Sequence, residues 1–284
     1  SQSLNCNMSQ TATAGASNST VHAQSIEQKP LKQRPQHLCI RPLTIYDLAQ
    51  VEKLEESAFD DAERADREKL KYRLTVCPEL GSGLFIREFE DISSEALEQQ
   101  KHKAETELKG KKLNKEKKHK EEDDDDSDEE SEDEDFILPP PRSTVKKETL
   151  IGHVIGTKIY DNRITERSMA IPKLTKDDLP DPSVPGNSKV GHVEGSRVIG
   201  IHSVVIDQHY RGLKLGSLLL KDYLQKMNQQ CVADKVVLIA KQKLVPFYKS
   251  VEFVDDGISD CKYAGVEWHD LHCVLTHQED DEDM

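Results

Sequence analysis

The stretch HSVVIDQHYRGLKLGSLLLKDYL, from His202 to Leu224, decides the fold. It reads as a strand, a tight basic turn and a helix. The strand covers His202 to Ile206, with β-branched Val204, Val205 and Ile206 in succession. The turn is Tyr210-Arg211-Gly212-Leu213-Lys214-Leu215-Gly216. In the helix that follows, Leu215, Leu218, Leu219 and Met227 are spaced for one apolar face. A glycine-bearing turn feeding a helix N-terminus offers backbone N–H groups and a positive dipole end to an anion. Arg211 and Lys214 add formal charge at the same place, so the turn reads as a pyrophosphate seat.

Three kinds of glycine loop could form such a seat. A P-loop needs GxxxxGK[ST], which this chain lacks, and a dinucleotide turn needs GxGxxG, of which only Gly212 and Gly216 are present. Arg211 through Gly216 is similar to the third kind, the acyl-CoA loop of the GNAT N-acetyltransferases, Q/R-x-x-G-x-G/A. Lys214 stands where the first glycine of that loop is usual. Three further segments, in the same order, strengthen the resemblance. Leu244-Val245-Pro246-Phe247-Tyr248, Cys77-Pro78-Glu79-Leu80 and Leu271-His272-Cys273-Val274-Leu275 resemble the vertebrate serotonin (arylalkylamine) N-acetyltransferases. Among relatives of that kind, the fungal polyamine and arylalkylamine acetyltransferases are the kin this chain is expected to resemble most. The resemblance covers roughly residues 37–90 and 147–276.

It implies an α/β GNAT fold: a mixed, mostly antiparallel sheet flanked by helices. His37 to Leu43 reads as a first strand. Thr44 caps the next helix with Asp47 three residues on, and Ile45, Leu48, Val51 and Leu54 form its buried stripe. A second helix is expected over residues 63–76, stopped before Pro78. Strands follow at 83–89, 149–160, 197–206, 235–240, 252–257 and 270–275, with helices at 214–229 and 243–251. Residues 161–195 hold Pro172, Pro180, Pro182 and Pro185, which exclude long regular structure there. In the family this region borders the acceptor site, so the loop is expected to shape substrate access.

Much of the chain cannot belong to that core. Of 284 residues, 35% are hydrophobic and 32% charged. The net charge of −14 argues against general nucleic-acid affinity. Residues 121–135, EEDDDDSDEESEDED, hold thirteen acidic residues among fifteen, and nine Lys precede them in residues 101–120. Such a block buries too little apolar area to offset chain entropy. Residues 91–146 are therefore expected to be a disordered, low-complexity insert at the tip of a hairpin, where loop closure costs little more as length grows. Residues 1–36 read as a disordered tail and 277–284 as an acidic one, leaving an acetyltransferase domain over residues 37–276. Six Cys with no CxxC spacing point away from zinc and toward a reducing compartment. No apolar run nears the roughly 18 residues of a membrane span. A cytoplasmic monomer, with nuclear residence also open, is the expectation, and the acidic tract could contact basic proteins.

Acetyl transfer to an amine sets three requirements. The amine must lose its proton, although alkylammonium groups resemble Lys with a pKa of about 10.4. The carbonyl oxygen needs a donor. The departing thiolate leaves better as a thiol, with pKa about 8.5 by analogy with Cys. The resemblance implies His202 as the base, acting through water; Gly200 occupies the place of the family's other histidine. It implies Tyr248 as the acid. Acetyl-CoA is expected as co-substrate, without a metal. Val204, Val205 and Ile206 would pair with its pantetheine arm in the manner of an added strand, the Val204 N–H meeting the thioester carbonyl. Arg211, Gly212, Leu213, Lys214, Leu215, Gly216 and Ser217 would hold the pyrophosphate. The acceptor is expected to be a small primary amine, an arylalkylamine or a polyamine. Two alternatives stay open: a protein or peptide acceptor, and a weakly catalytic fold that binds basic proteins.

Overall fold

A computed structural model describes residues 33–90, 98–99, 101–103, 105–110 and 145–277. Seven strands form one sheet: β1 (Leu38–Pro42), β2 (Gly81–Phe89), β3 (Val145–Lys158), β4 (Val198–Ile206), β5 (Lys235–Ala240), β6 (Val254–Ile258) and β7 (His269–Val274). Their spatial order is β1-β2-β3-β4-β5-β7-β6. The described pairings are antiparallel except β4 with β5, which is parallel. Parallel neighbours need a long crossover, and helix α3 (Leu215–Gln229) supplies it; α1 (Leu48–Ala58), α2 (Arg67–Val76) and the short α4 (Val245–Ser250) are further helices, beside a single helical turn at Glu166–Met169. This is the mixed α/β GNAT architecture expected from the sequence.

Local chemistry sets the element ends. Asp47 accepts from the Thr44 N–H at 2.8 Å while Arg41 grips the same carboxylate at 2.8 and 2.9 Å, closing the entry to α1. The second helix starts at Arg67 rather than at residue 63, because Asp66 is its N-cap and accepts from the Lys69 N–H at 2.9 Å. His37 lies outside the first strand, with φ of 59°. The third strand begins at Val145, a few residues earlier than expected. Residues 161–197 contain only short turns of helix, but they are tied down: the Asn187 side chain bonds Lys173 and Asp181, and the His192 N–H donates to the Tyr72 hydroxyl at 3.0 Å.

The sheet carries apolar layers on both faces. Val204 and Ile206 pack with Leu215, Leu219 and Tyr223 of α3, while Val205 packs with Val51, Leu54 and Leu70 of α1 and α2. A third cluster gathers around Trp268, Val237 and Ile239. The chain divides into two compact units, residues 1–86 with 149–284 and residues 87–148. In the second unit the described residues of 98–110 are helical and exposed. The disorder expected for the N-terminal tail, the acidic run 121–135 and the C-terminal tail falls outside the described residues.

Because residues 1–86 and 149–284 form a unit by themselves, replacing residues 95–143 with a short Gly-Asn turn should leave the folding of that unit intact. Thermal unfolding followed by circular dichroism checks this. A cooperative transition with an unchanged midpoint is expected, and loss of the transition would show that the insert is required for the core.

Candidate active site

The site begins where two strands part. β5 pairs with β4 at only three positions, Val198↔Lys235, Ile199↔Val236 and Gly200↔Val237. Beyond them β5 pairs with β7 alone, up to Ala240↔His269, and β4 runs on to Ile206 paired only with β3. The Asp207 N–H donates to the Ile151 carbonyl of β3 at 2.7 Å. Strand alternation then turns the N–H and C=O groups of Val204 and Ile206 the other way, toward the opening left by β5. An extended ligand arm can add itself to that edge.

An extra residue accompanies the parting. On β3, Ile155 faces Ser203 but its neighbour Gly156 faces Ile201, so His202 has no partner across the ladder. This is a β-bulge, which bends its strand and increases local twist. Counting by twos from Val204 puts His202 on the α3 face. The bulge places it instead on the face of α1 and α2, next to Ser203. There it is 1% exposed and its Nε2 lies 2.6 Å from the Thr157 hydroxyl. Burial, and then the positive charge of Arg73, push the His202 pKa well below that of free imidazole. The ring is therefore neutral at physiological pH, with one nitrogen able to accept a proton.

The basic turn lies just past the end of β4. Gly212 has φ of 80° and Lys214 φ of 58°, both left-handed. Lys214 thus adopts the backbone conformation for which glycine is the usual residue, at a cost of about 1–2 kcal/mol. Its carbonyl still receives the Leu218 N–H at 3.1 Å, and no side chain caps the helix start. The first N–H groups of α3, at Leu215, Gly216 and Ser217, are left to an outside acceptor. Arg211 donates through Nε to the Ile206 carbonyl at 3.2 Å, bracing the turn on the strand, and Arg34 donates to the Leu213 carbonyl at 3.1 Å. A Cβ on Gly216 would meet the Phe247 ring at 3.4 Å, an ordinary van der Waals contact, which places α4 against the start of α3.

Tyr248 stands on α4, 2% exposed, its ring edge-on to Phe247 at 5.2 Å and to Phe253 at 5.6 Å. His202 and Tyr248 flank β4 from opposite sides, one among α1 and α2, the other in the layer with α3. Residues the sequence reading passed over complete the site. Thr157 holds His202. Beside it Glu55, His153 and Ser203 form a buried polar cluster, and Arg73 is a buried guanidinium whose Nη2 donates to the Met169 carbonyl at 3.2 Å. One signal was available: Glu55 falls on the buried stripe Leu48, Val51, Leu54, Ala58 of α1, where an unpaired carboxylate would be costly. Among the described residues no group of His, Cys, Asp and Glu could hold a metal ion, and the five cysteines that fall among them form no disulfide.

The state of His202 has a thermodynamic consequence. Its folded-state pKa is depressed, so the unfolded chain binds the proton more readily. The stability it contributes is complete above about pH 6.5 and is lost as pH falls below that value, by up to about 1.4 kcal/mol per pH unit. Lys69 of α2 and His192 of the long loop act in the same direction as Arg73. Denaturant unfolding between pH 7 and pH 5 should show this slope, and His202→Gln should flatten it. An equally steep slope in the variant would assign the proton uptake elsewhere.

Comparison with known proteins agrees with this geometry. Residues 139–275 match the family model described as an acetyltransferase (GNAT) domain. Serotonin N-acetyltransferase of Mesocricetus auratus is 24% identical over 126 residues, which are 44% of this chain and 51% of that protein. The chain thus spans about half the length of this curated relative. Among solved structures, the loading GNATL domain of CurA from Lyngbya majuscula superposes with a TM-score of 0.46 at 14% identity, covering 84% of this chain and 98% of that one. The GphF GNAT-like decarboxylase in complex with isobutyryl-CoA gives a TM-score of 0.45 at 14% identity, covering 84% and 100%. The sheet, its parted central strands and the match of residues 139–275 to the acetyltransferase (GNAT) family model together give this chain the GNAT fold.

Proposed function

We propose that this chain is an acetyl-CoA-dependent N-acetyltransferase acting on small primary amines, arylalkylamines or polyamines. The observation that carries the reading is the parting of β4 from β5 immediately before an uncapped, basic helix start. Free strand donors at Val204 and Ile206 and free helix donors at Leu215, Gly216 and Ser217 lie in sequence along one route. They suit a ligand with an amide-bearing arm and a pyrophosphate. Arg211 and Lys214 add charge for the phosphates, with Gly212 and Leu213 shaping the turn between them. Val205 faces the other layer and contributes packing.

Acetyl-CoA supplies the activated acyl group. The protein's part is to place it and to move protons. The Val204 N–H faces the open side of β4 and can steady negative charge growing on the carbonyl oxygen. His202, kept neutral by burial and Arg73, accepts the proton of the amine through water. Because this ring is a weaker base than free imidazole, it passes the proton on to solvent rather than keeping it. Thr157 holds the ring in place through its hydroxyl. Tyr248 gives a proton to the leaving sulfur from the other side of β4.

The preference for amines draws on the acidic balance of the chain, which steers cations toward it. The connection between α1 and α2 is short, with Asp60 and Asp61 exposed, and only one Trp is present in the whole chain. That supports an open site with little aromatic selectivity. The similarity to a serotonin N-acetyltransferase supports the same class.

Saturating CoA at 100 times its Kd should stabilise the protein by about 2.7 kcal/mol, a rise in Tm of about 5–10 °C, and EDTA should not abolish the shift. No shift at millimolar ligand would remove the co-substrate. Turnover assays with tryptamine, spermine and a basic peptide should favour the small amines; preference for the peptide would overturn the substrate class. His202→Ala should slow turnover most at neutral pH and recover in part as pH rises, because more of the amine is already neutral. Tyr248→Phe should lower kcat with little change in CoA binding. Wild-type rates and pH profiles in both variants would misplace the two roles.

A further inference from the structure

Glu55, His153 and Ser203 come from three elements, α1, β3 and β4, and meet on the buried face beside the bulge. Their exposures are 0%, 0% and 3%. One carboxylate oxygen, Glu55 Oε1, accepts from the Ser203 hydroxyl and lies 3.0 Å from His153 Nε2. The same ring nitrogen is 3.1 Å from the Ser203 Oγ. This is not the relay of a hydrolase. Carboxylate and hydroxyl meet the same nitrogen, and His153 Nδ1 has no hydrogen-bond partner among the described residues. The acetyl-transfer steps above make no use of these three side chains.

Their position relative to the bulge is the informative point. Ser203 is the first residue of β4 back in register, opposite Ile155, and His202 is the extra residue just before it. A bulge is free to move along its strand by one residue, and each such step turns a side chain to the other face. If the extra residue moved to position 203, His202 would take the place opposite Ile155 and move away from Thr157. Ser203 would then withdraw its hydroxyl from Glu55. That leaves a buried carboxylate short of a donor, which costs far more than an exposed one. His153 bonds the same oxygen from β3, so the strand opposite the bulge is locked to the same point.

We propose that Glu55, His153 and Ser203 are positioning residues for acetyl transfer: they pin the bulge of β4, and thereby set where the His202 ring and the Val204 N–H stand. The inference rests on the acetyltransferase reading. Arg73, from α2, supplies the opposite buried charge, acting on both Glu55 and His202. Displacement of reacting groups by about 1 Å can cost about 100-fold in rate. The expected effect of loosening the pin is thus on kcat, with co-substrate binding little changed.

The test is steady-state kinetics on Ser203→Ala, with Ser203→Thr as the variant that restores a hydroxyl. Ser203→Ala should lower kcat by about 10- to 100-fold, with the CoA-induced rise in Tm and the KM for acetyl-CoA within about twofold of wild type. Ser203→Thr should recover most of kcat. If Ser203→Ala does not fold, Glu55→Gln, which keeps shape and weakens the bond, takes its place in the same assay. Hydrogen exchange over residues 198–206 in the CoA-bound protein gives a reading independent of turnover, and should quicken in the variant around positions 201–205. A wild type that turns over acetyl-CoA beside a Ser203→Ala of unchanged kcat overturns the positioning role and leaves the acetyltransferase reading standing. Equal slowing in Ser203→Ala and Ser203→Thr assigns the loss to packing and overturns it too. A wild type that neither binds CoA nor transfers acetyl groups defeats the acetyltransferase reading itself, and this inference with it.

Discussion

The structure turns on an unmet demand for hydrogen bonds in the middle of a sheet. Interior strands ordinarily satisfy both edges, and a buried backbone group without a partner is costly. Here β4 and β5 are joined at three positions and then diverge. The divergence leaves the outer edge of β4 available along Val204 and Ile206, and the protein closes it only in part, through the Arg211 bond to the Ile206 carbonyl. The bulge at His202 is the mechanical companion of that opening. One extra residue bends the strand away from β5 and turns a histidine through the sheet plane.

The same kind of incompleteness recurs one step further along the chain. Helix α3 begins without a side-chain cap, behind a turn that holds Gly212 and Lys214 in left-handed conformations. Ser, Thr, Asp or Asn would ordinarily fill the cap position, and a lysine there does nothing for the first-turn N–H groups. Its ammonium instead adds positive charge to a helix end that is already positive. By itself this arrangement is unfavourable. It becomes favourable when an anion arrives, which is why the strained residue and the missing cap read as parts of one binding surface rather than as flaws.

How much of this was legible follows from how local each feature is. The β4–turn–α3 unit is contiguous, and its β-branched run, glycines and apolar spacing place strand and helix to within a few residues. The adjacency of β2 and β3 followed from the family resemblance, not from any pattern of its own, and the order of the strands was not read from the sequence. The start of α2 was misplaced because Asp66, the true cap, sits within a run of charged residues where Glu63 looked equally able to begin a helix. The face of His202 could not be read at all. Period-two counting from Val204 gives the α3 face, and only pairing with β3 reveals the extra residue. Thr157, His153 and Ser203 were hidden for the same reason, since polar residues in a strand take meaning only from what they meet across the sheet. Glu55 was the exception, a carboxylate on an otherwise apolar helical stripe.

That exception bears on what the buried polar groups contribute. A carboxylate and a guanidinium taken from water carry a desolvation penalty of several kcal/mol each, which their attraction seldom recovers in full. Glu55 and Arg73 are both buried, are not in direct ion-pair contact, and each keeps a polar atom without a partner among the described residues. Apolar side chains in their places would serve the stability of the α1–α2 layer as well or better. Stability is therefore a poor account of the cluster. What apolar packing cannot supply is direction: it would tolerate the bulge one residue further on, whereas a carboxylate that needs the Ser203 hydroxyl resists the shift that carries Ser203 to the other face. The polar cluster thus trades some stability of the fold for a single placement of the one strand whose edge is left open.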